Sequence, residues 1–77
     1  MKKLKLFERI YLLKDIKDST FKMGDVGTIV QIYGSGEAFE IEFFSIDGST
    51  LGVETVPAVI IHSCEGLKQA VHINIAA

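Results

Sequence analysis

Short apolar runs broken by turn residues set the rhythm of this chain, and that rhythm predicts strands. The clearest run is "VGTIVQIY" (26–33). Its β-branched residues have stiff side chains that suit a pleated sheet better than a helix. In "AFEIEFF" (38–44), Phe39, Ile41 and Phe43 alternate with Glu40 and Glu42, so one face is apolar and the other acidic. "TLGVETV" (50–56) returns after Asp47-Gly48, a pair that turns a hairpin because glycine reaches positive φ without penalty. "ERIYLLKDI" (8–16) reads as the first strand, although Phe7, Ile10 and Leu13 are also spaced for a helix face. "KDSTFKMGD" (17–25) is a polar loop. Pro57 cannot donate to a ladder and should end the fourth strand, with a short helical turn before "VIIHSC" (59–64). The last stretch, "EGLKQAVHINIAA", alternates again. Val71, Ile73 and Ile75 fall on one side and His72, Asn74 and Ala76 on the other, which predicts one more strand at the C-terminal end.

Together these elements predict an all-β fold. The expected form is a small, strongly bent antiparallel sheet or SH3-like barrel over residues 6–64, with an extra C-terminal strand in 65–77. A chain of 77 residues has room for one core, so residues 1–77 are read as a single domain. Two glycine features refine the picture. Gly34-Ser35-Gly36 precedes an alternating strand rather than a helix, so no helix N-terminus is available to receive a phosphate, and the triplet reads as a hairpin turn. Gly27 interrupts a β-branched run, which predicts a bend or a close approach of neighbouring chain at that point.

The stretch "MGDVGTIVQIY" resembles the loop-plus-strand units of SH3-like barrels. The segments "LFERIYLLKDI", "KMGDVGTIVQIY", "GEAFEIEFF" and "DGSTLGVETVPA", which span residues 6 to 58, resemble more closely a family of small bacterial domains of unknown function. That resemblance implies a fold and no mechanism. The chain departs from it after about residue 62, where "SCEGLKQAVHINIAA" looks like an extension.

Charge bears on the class of partner. The formal net charge is −2, whereas a nucleic-acid-binding surface needs a basic footprint. The basic groups crowd toward the start (Lys2, Lys3, Lys5, Arg9, Lys14, Lys17, Lys22), and beyond residue 23 only Lys68 faces seven carboxylates. A nucleic-acid-binding accessory module of SH3-like type is therefore the second functional expectation, and useful affinity for duplex DNA at physiological salt is not expected. One cysteine, Cys64, excludes an intrachain disulfide and fits a reducing cytoplasm. "MKKLKLFERIYLL" looks superficially like a secretion signal, but Glu8 and Arg9 break the apolar run, and nothing approaches the roughly 20 apolar residues of a membrane span.

Candidate chemistry is sparse. His62 and Cys64 stand two apart near a strand end, but no third group orients them, and a packed thiol is the simpler account. Glu40 and Glu42 share a strand face without any accompanying HxH or CxxC spacing, so no metal, cofactor or catalytic residue is assigned. Lys2, Lys3 and Lys5 read as a charged, frayed terminus. The apolar surface is more informative. Tyr11 and Tyr33, on strands expected to be neighbours, and Phe44, beside Glu40 and Glu42 if its strand stays regular, form a candidate partner patch; the alternative is a bulge near Phe44 that returns its ring to the core. Val71, Ile73 and Ile75 form a candidate oligomer interface, because three such side chains are worth about 1.5–3 kcal/mol each when buried. The resulting expectation is a cytoplasmic, non-enzymatic protein-interaction module that self-associates, with a dimer favoured.

Overall fold

The computed structural model describes residues 3–65. Five strands form along them: β1 (Arg9–Leu12), β2 (Val26–Tyr33), β3 (Ala38–Phe44), β4 (Thr50–Pro57) and β5 (Ile61–Ser63), with a 3₁₀ turn, Ala58–Ile60, between β4 and β5. All pair antiparallel in one sheet of order β4-β3-β2-β1-β5. β2 and β3 occupy the residues their patterns predict. β1 is shorter than "ERIYLLKDI" because the chain leaves the sheet after Leu12 to begin the long β1–β2 loop. The short helical turn after Pro57 is present, and it confines β5 to three residues. The expected C-terminal strand, with Val71, Ile73 and Ile75, lies outside the described residues.

The SH3-like barrel expected from the pattern is corrected here. β4 and β5 are the two edges of the sheet, and no ladder joins them. Closing a sheet requires its last strand to hydrogen-bond back onto the first across the gap. Here β5, after the 3₁₀ turn Ala58–Ile60, pairs antiparallel with β1 and makes no ladder with β4, so the sheet stays open.

Loops rather than closure cover the core. Ile10, Leu12, Ile29, Phe39, Ile41, Phe43, Val56 and Ile61 line one face of the sheet and are buried. Phe21, from the polar-looking β1–β2 loop, folds back over them, and its ring stacks on Phe43 at 4.2 Å between centroids. Leu4, Ile16, Ala58 and Ile60 fill in around the rim. The loop is tied down by backbone bonds from Ile16 N–H to the Phe21 carbonyl at 3.1 Å and from Gly24 N–H to the Leu12 carbonyl at 2.8 Å. Met23 N–H also donates to Asp15 Oδ1 at 2.8 Å.

Strict alternation along β2 would carry Gln31 into the core and Ile32 out to solvent. A register shift between Ile29 and Gln31 prevents this: Val30 is the extra residue of a bulge, after which Gln31 opposes Glu40 and Ile32 opposes Phe39. One extra residue thus resets the phase, so that Ile32 packs against the core. The Gly34-Ser35-Gly36 triplet is a turn between β2 and β3. Both glycines lie at positive φ (60° and 103°), and Gly36 N–H donates to the Tyr33 carbonyl at 3.1 Å.

The β3–β4 turn is held by Asp47. Its carboxylate accepts from the Ser45 hydroxyl and from the Ser49 N–H at 2.9 Å, and Gly48 sits at φ 91°. These bonds, the Ser45 hydroxyl foremost, favour the ionised form and lower the Asp47 pKa to about 2. A carboxylate depressed in the folded state adds stability above its ordinary range and loses it as pH falls through the lowered value. A carbon-detected NMR titration should therefore place the Asp47 midpoint near 2. A midpoint at the ordinary 3.8 would show that the turn bonds do not hold in solution.

Candidate functional site

The sheet face turned away from the core carries the side chains that alternate with the core residues. On β3 these are Glu40, Glu42 and Phe44. Register places Thr28 and Val53 on either side of Glu42, and Gln31 and Thr55 on either side of Glu40. The acids are bound by neighbouring hydroxyls. Tyr33 Oη and Thr55 Oγ1 donate to the same Glu40 Oε1 at 2.9 and 2.7 Å, and Thr50 Oγ1 donates to Glu42 Oε2 at 2.8 Å. The hydrogen bond to Glu40 holds the proton on the Tyr33 phenol and raises its pKa, with desolvation and the Glu40 charge acting the same way.

Phe44 lies on this outer face with Glu40 and Glu42, as the alternation of its strand requires. A bulge does occur beside it, but in β4: Phe43 opposes Gly52 and Phe44 opposes Thr50, so Leu51 is the extra residue. The Phe44 ring is half-buried beneath the Arg9 guanidinium, whose Cζ stands 4.9 Å from the ring centroid, a cation–π contact. Tyr11 pairs with Val26 on one side and His62 on the other, with the Tyr11 and His62 rings 5.5 Å apart. Tyr33 stands at the opposite end of β2 from Val26, roughly 20 Å along the strand at about 3.3 Å per residue. The three residues of the candidate patch thus separate into two places. Tyr11 pairs with Val26, and Phe44 follows Phe43, the partner of Gly27, at one end of β2, while Tyr33 joins the Glu40 cluster at the other.

His62 and Cys64 do not share an environment. His62 is exposed beside Tyr11, whereas Cys64 is buried beyond the end of β5, with its N–H donating to the Arg9 carbonyl at 3.0 Å. Burial raises the thiol pKa above its ordinary value, the direction opposite to that of an activated nucleophile. Among the described residues, no group of three or more His, Cys, Asp or Glu side chains is arranged to hold a metal ion. No helix among them is long and apolar enough to cross a membrane.

Two surface features escaped the sequence pattern. Leu6 and Phe7 form the tip of a turn closed by Glu8 N–H on the Lys5 carbonyl at 3.1 Å, and Phe7 adopts φ 67° while 73% exposed. A bulky residue at positive φ is strained. The second feature is the free edge of β4. β5 is three residues long, too short to offer much backbone, but β4 is eight residues long and pairs only with β3 among the described residues. Exposed edges of natural sheets are guarded by lysines, prolines or short length. β4 has no lysine, and its one proline, Pro57, is its last residue. Val53 and Leu51 remain 47% and 59% exposed along it. The lack of any charge but Glu54 between Thr50 and Pro57 was legible in the sequence; the edge position was not.

The class this architecture defines is a small, open, five-stranded antiparallel sheet capped by loops, with an acidic outer face and one long edge that no other described strand covers. The chain belongs to the family described as a domain of unknown function, DUF4926, which matches residues 6–62. That match contains every segment of the resemblance seen in the sequence; the barrel expected along with it is what the open sheet overturns. No curated protein and no solved structure matches the chain significantly.

Proposed function

We propose that the chain is a non-enzymatic protein-interaction module that works in the cytoplasm and associates with itself. The observation that carries this reading is the open sheet, which leaves the eight-residue strand β4 at an edge, with Val53 and Leu51 exposed beside backbone that no other described strand pairs. An edge of this kind gains hydrogen bonds and apolar burial together when another strand is laid along it. The cytoplasmic part of the reading rests on the single buried thiol, which needs no oxidising compartment. Size-exclusion chromatography with light scattering tests the proposal. The full chain should show a mass that rises with concentration toward twice that of one chain. A monomer's mass at every concentration up to about millimolar would overturn it.

A further inference from the structure

The backbone phase of β4 shows which of its residues face the outer edge of the sheet. Antiparallel ladders alternate between residues whose N–H and C=O point at the neighbour and residues whose groups point away. Ala58 N–H donates to the Glu37 carbonyl at 2.9 Å, which makes Glu37 and Ala58 a hydrogen-bonded pair. Stepping two residues at a time along the register, Phe39–Val56, Ile41–Glu54 and Phe43–Gly52 are the bonded pairs of the β3–β4 ladder. Val53 and Thr55 therefore direct their backbone groups outward, to the edge that no other described strand covers. Pro57 occupies the next outward position and has no N–H to offer.

We propose that this edge pairs with the same edge of a second copy, β4 against β4 in antiparallel register about a two-fold axis centred on Val53. The proposal rests on the self-association reading above and names its partner and surface. Two-fold pairing is self-complementary only if outward-facing residues meet outward-facing residues, which puts the axis on a residue rather than between two, and of such centres Val53 and Glu54 overlap the eight-residue strand with its copy over the greatest length. Centring on Glu54 sets its carboxylate directly opposite its copy, and like charges so placed repel. Centring on Val53 instead sets Glu54 opposite Gly52, lets the two Val53 residues exchange both of their backbone bonds, and leaves Pro57 just beyond the paired span. It also brings the two exposed Val53 side chains together on the outer face, with Thr55 opposite Leu51. Glu54 is held to the core side by the Ser19 hydroxyl, which donates at 3.3 Å, so the outer face of the seam carries no charge from β4. A single strand pair buries less than the roughly 1,200 Å² of a standard interface, so the dimer is concentration-dependent.

Disulfide trapping reads the register directly. In a hydrogen-bonded antiparallel pair the Cα atoms lie about 5.5 Å apart, within disulfide range. Full-length Val53→Cys, oxidised gently at a concentration where the parent chain dimerises, should give a covalent dimer in several-fold higher yield than Thr55→Cys. Two copies of residue 55 would be offset by four residues, roughly 13 Å along the seam. The parent chain, with only the buried Cys64, is the control. Val53→Pro supplies an independent test, since it removes an outward N–H at an edge position where proline does not break the β3 ladder. It should lower the association constant at least several-fold while the monomer melts cooperatively. If the parent dimerises but trapping is no better at 53 than at 55, or peaks at Glu54→Cys, the proposed pairing is overturned while self-association stands. Undiminished dimerisation of a folded Val53→Pro chain would overturn it equally. A parent chain that stays monomeric would overturn both readings.

Discussion

Phe21→Ala should destabilise the domain by about 3–4 kcal/mol, within the usual range for removing a buried phenylalanine. The ring is 7% exposed and stacks on Phe43, itself almost fully buried. It also covers Gly52: a Cβ there would sit 3.2 Å from Phe21 Cζ, so the glycine opens the space that the ring occupies. An open sheet has no opposing strands to close over its core, and this loop residue acts as part of the missing second layer. Against a total stability of about 4–10 kcal/mol for a chain of this size, the loss is a large fraction. At about 4–8 °C per kcal/mol, the melting temperature should fall by more than 10 °C. Amide exchange should quicken first in the β1–β2 loop, where Ile16 N–H depends on the Phe21 carbonyl. A melting curve within 2–3 °C of the parent, less than about 1 kcal/mol, would show that the loop does not cap the core in solution.

Gly27→Val should also destabilise, by about 2–3 kcal/mol, and its sign is informative. Replacing a strand glycine with a β-branched residue ordinarily stabilises a sheet. Here Gly27 is buried between Ile10 and Phe43. A Cβ added to it would overlap Ile41 Cγ2, approach the Glu42 carbonyl oxygen to 2.9 Å and the Phe43 ring to 3.1 Å. The methyl of Ile41 could shift; the Glu42 carbonyl belongs to the β2–β3 ladder and could not without breaking it. Gly27→Ala should therefore destabilise as well, by a smaller amount. A denaturant midpoint for Gly27→Val equal to or above the parent's would mean that the two strands are not this close.

The difference between these two residues shows where sequence and tertiary structure each had the say. Gly27 stands in a β-branched run, and local backbone chemistry alone marks such a glycine as a site of bending or close approach. Phe21 stands among Lys17, Asp18, Ser19, Thr20 and Lys22, where nothing local separates a core lid from a solvated loop residue. Its role follows from where the loop lands on the sheet. The outer face divides in the same way. The strict alternation of "AFEIEFF" carried Phe44 to the side of Glu40 and Glu42, but the Arg9 guanidinium over its ring comes from β1, two strands away.

By itself, then, the sequence determined the strands, their turns and which side of β3 is apolar, because alternation, β-branching and glycine or proline geometry act over a few neighbouring residues. It also carried the family match over residues 6–62. Only the tertiary structure decided that the sheet stays open, that Val30 bulges so that Ile32 turns inward, and that Phe21 closes the core. It alone placed β4 at an edge with Val53 facing outward. Each of those outcomes depends on which strands lie side by side and on how many residues oppose one another across a ladder. Such pairings join residues distant in the chain, and their energies are absent from any short window of it.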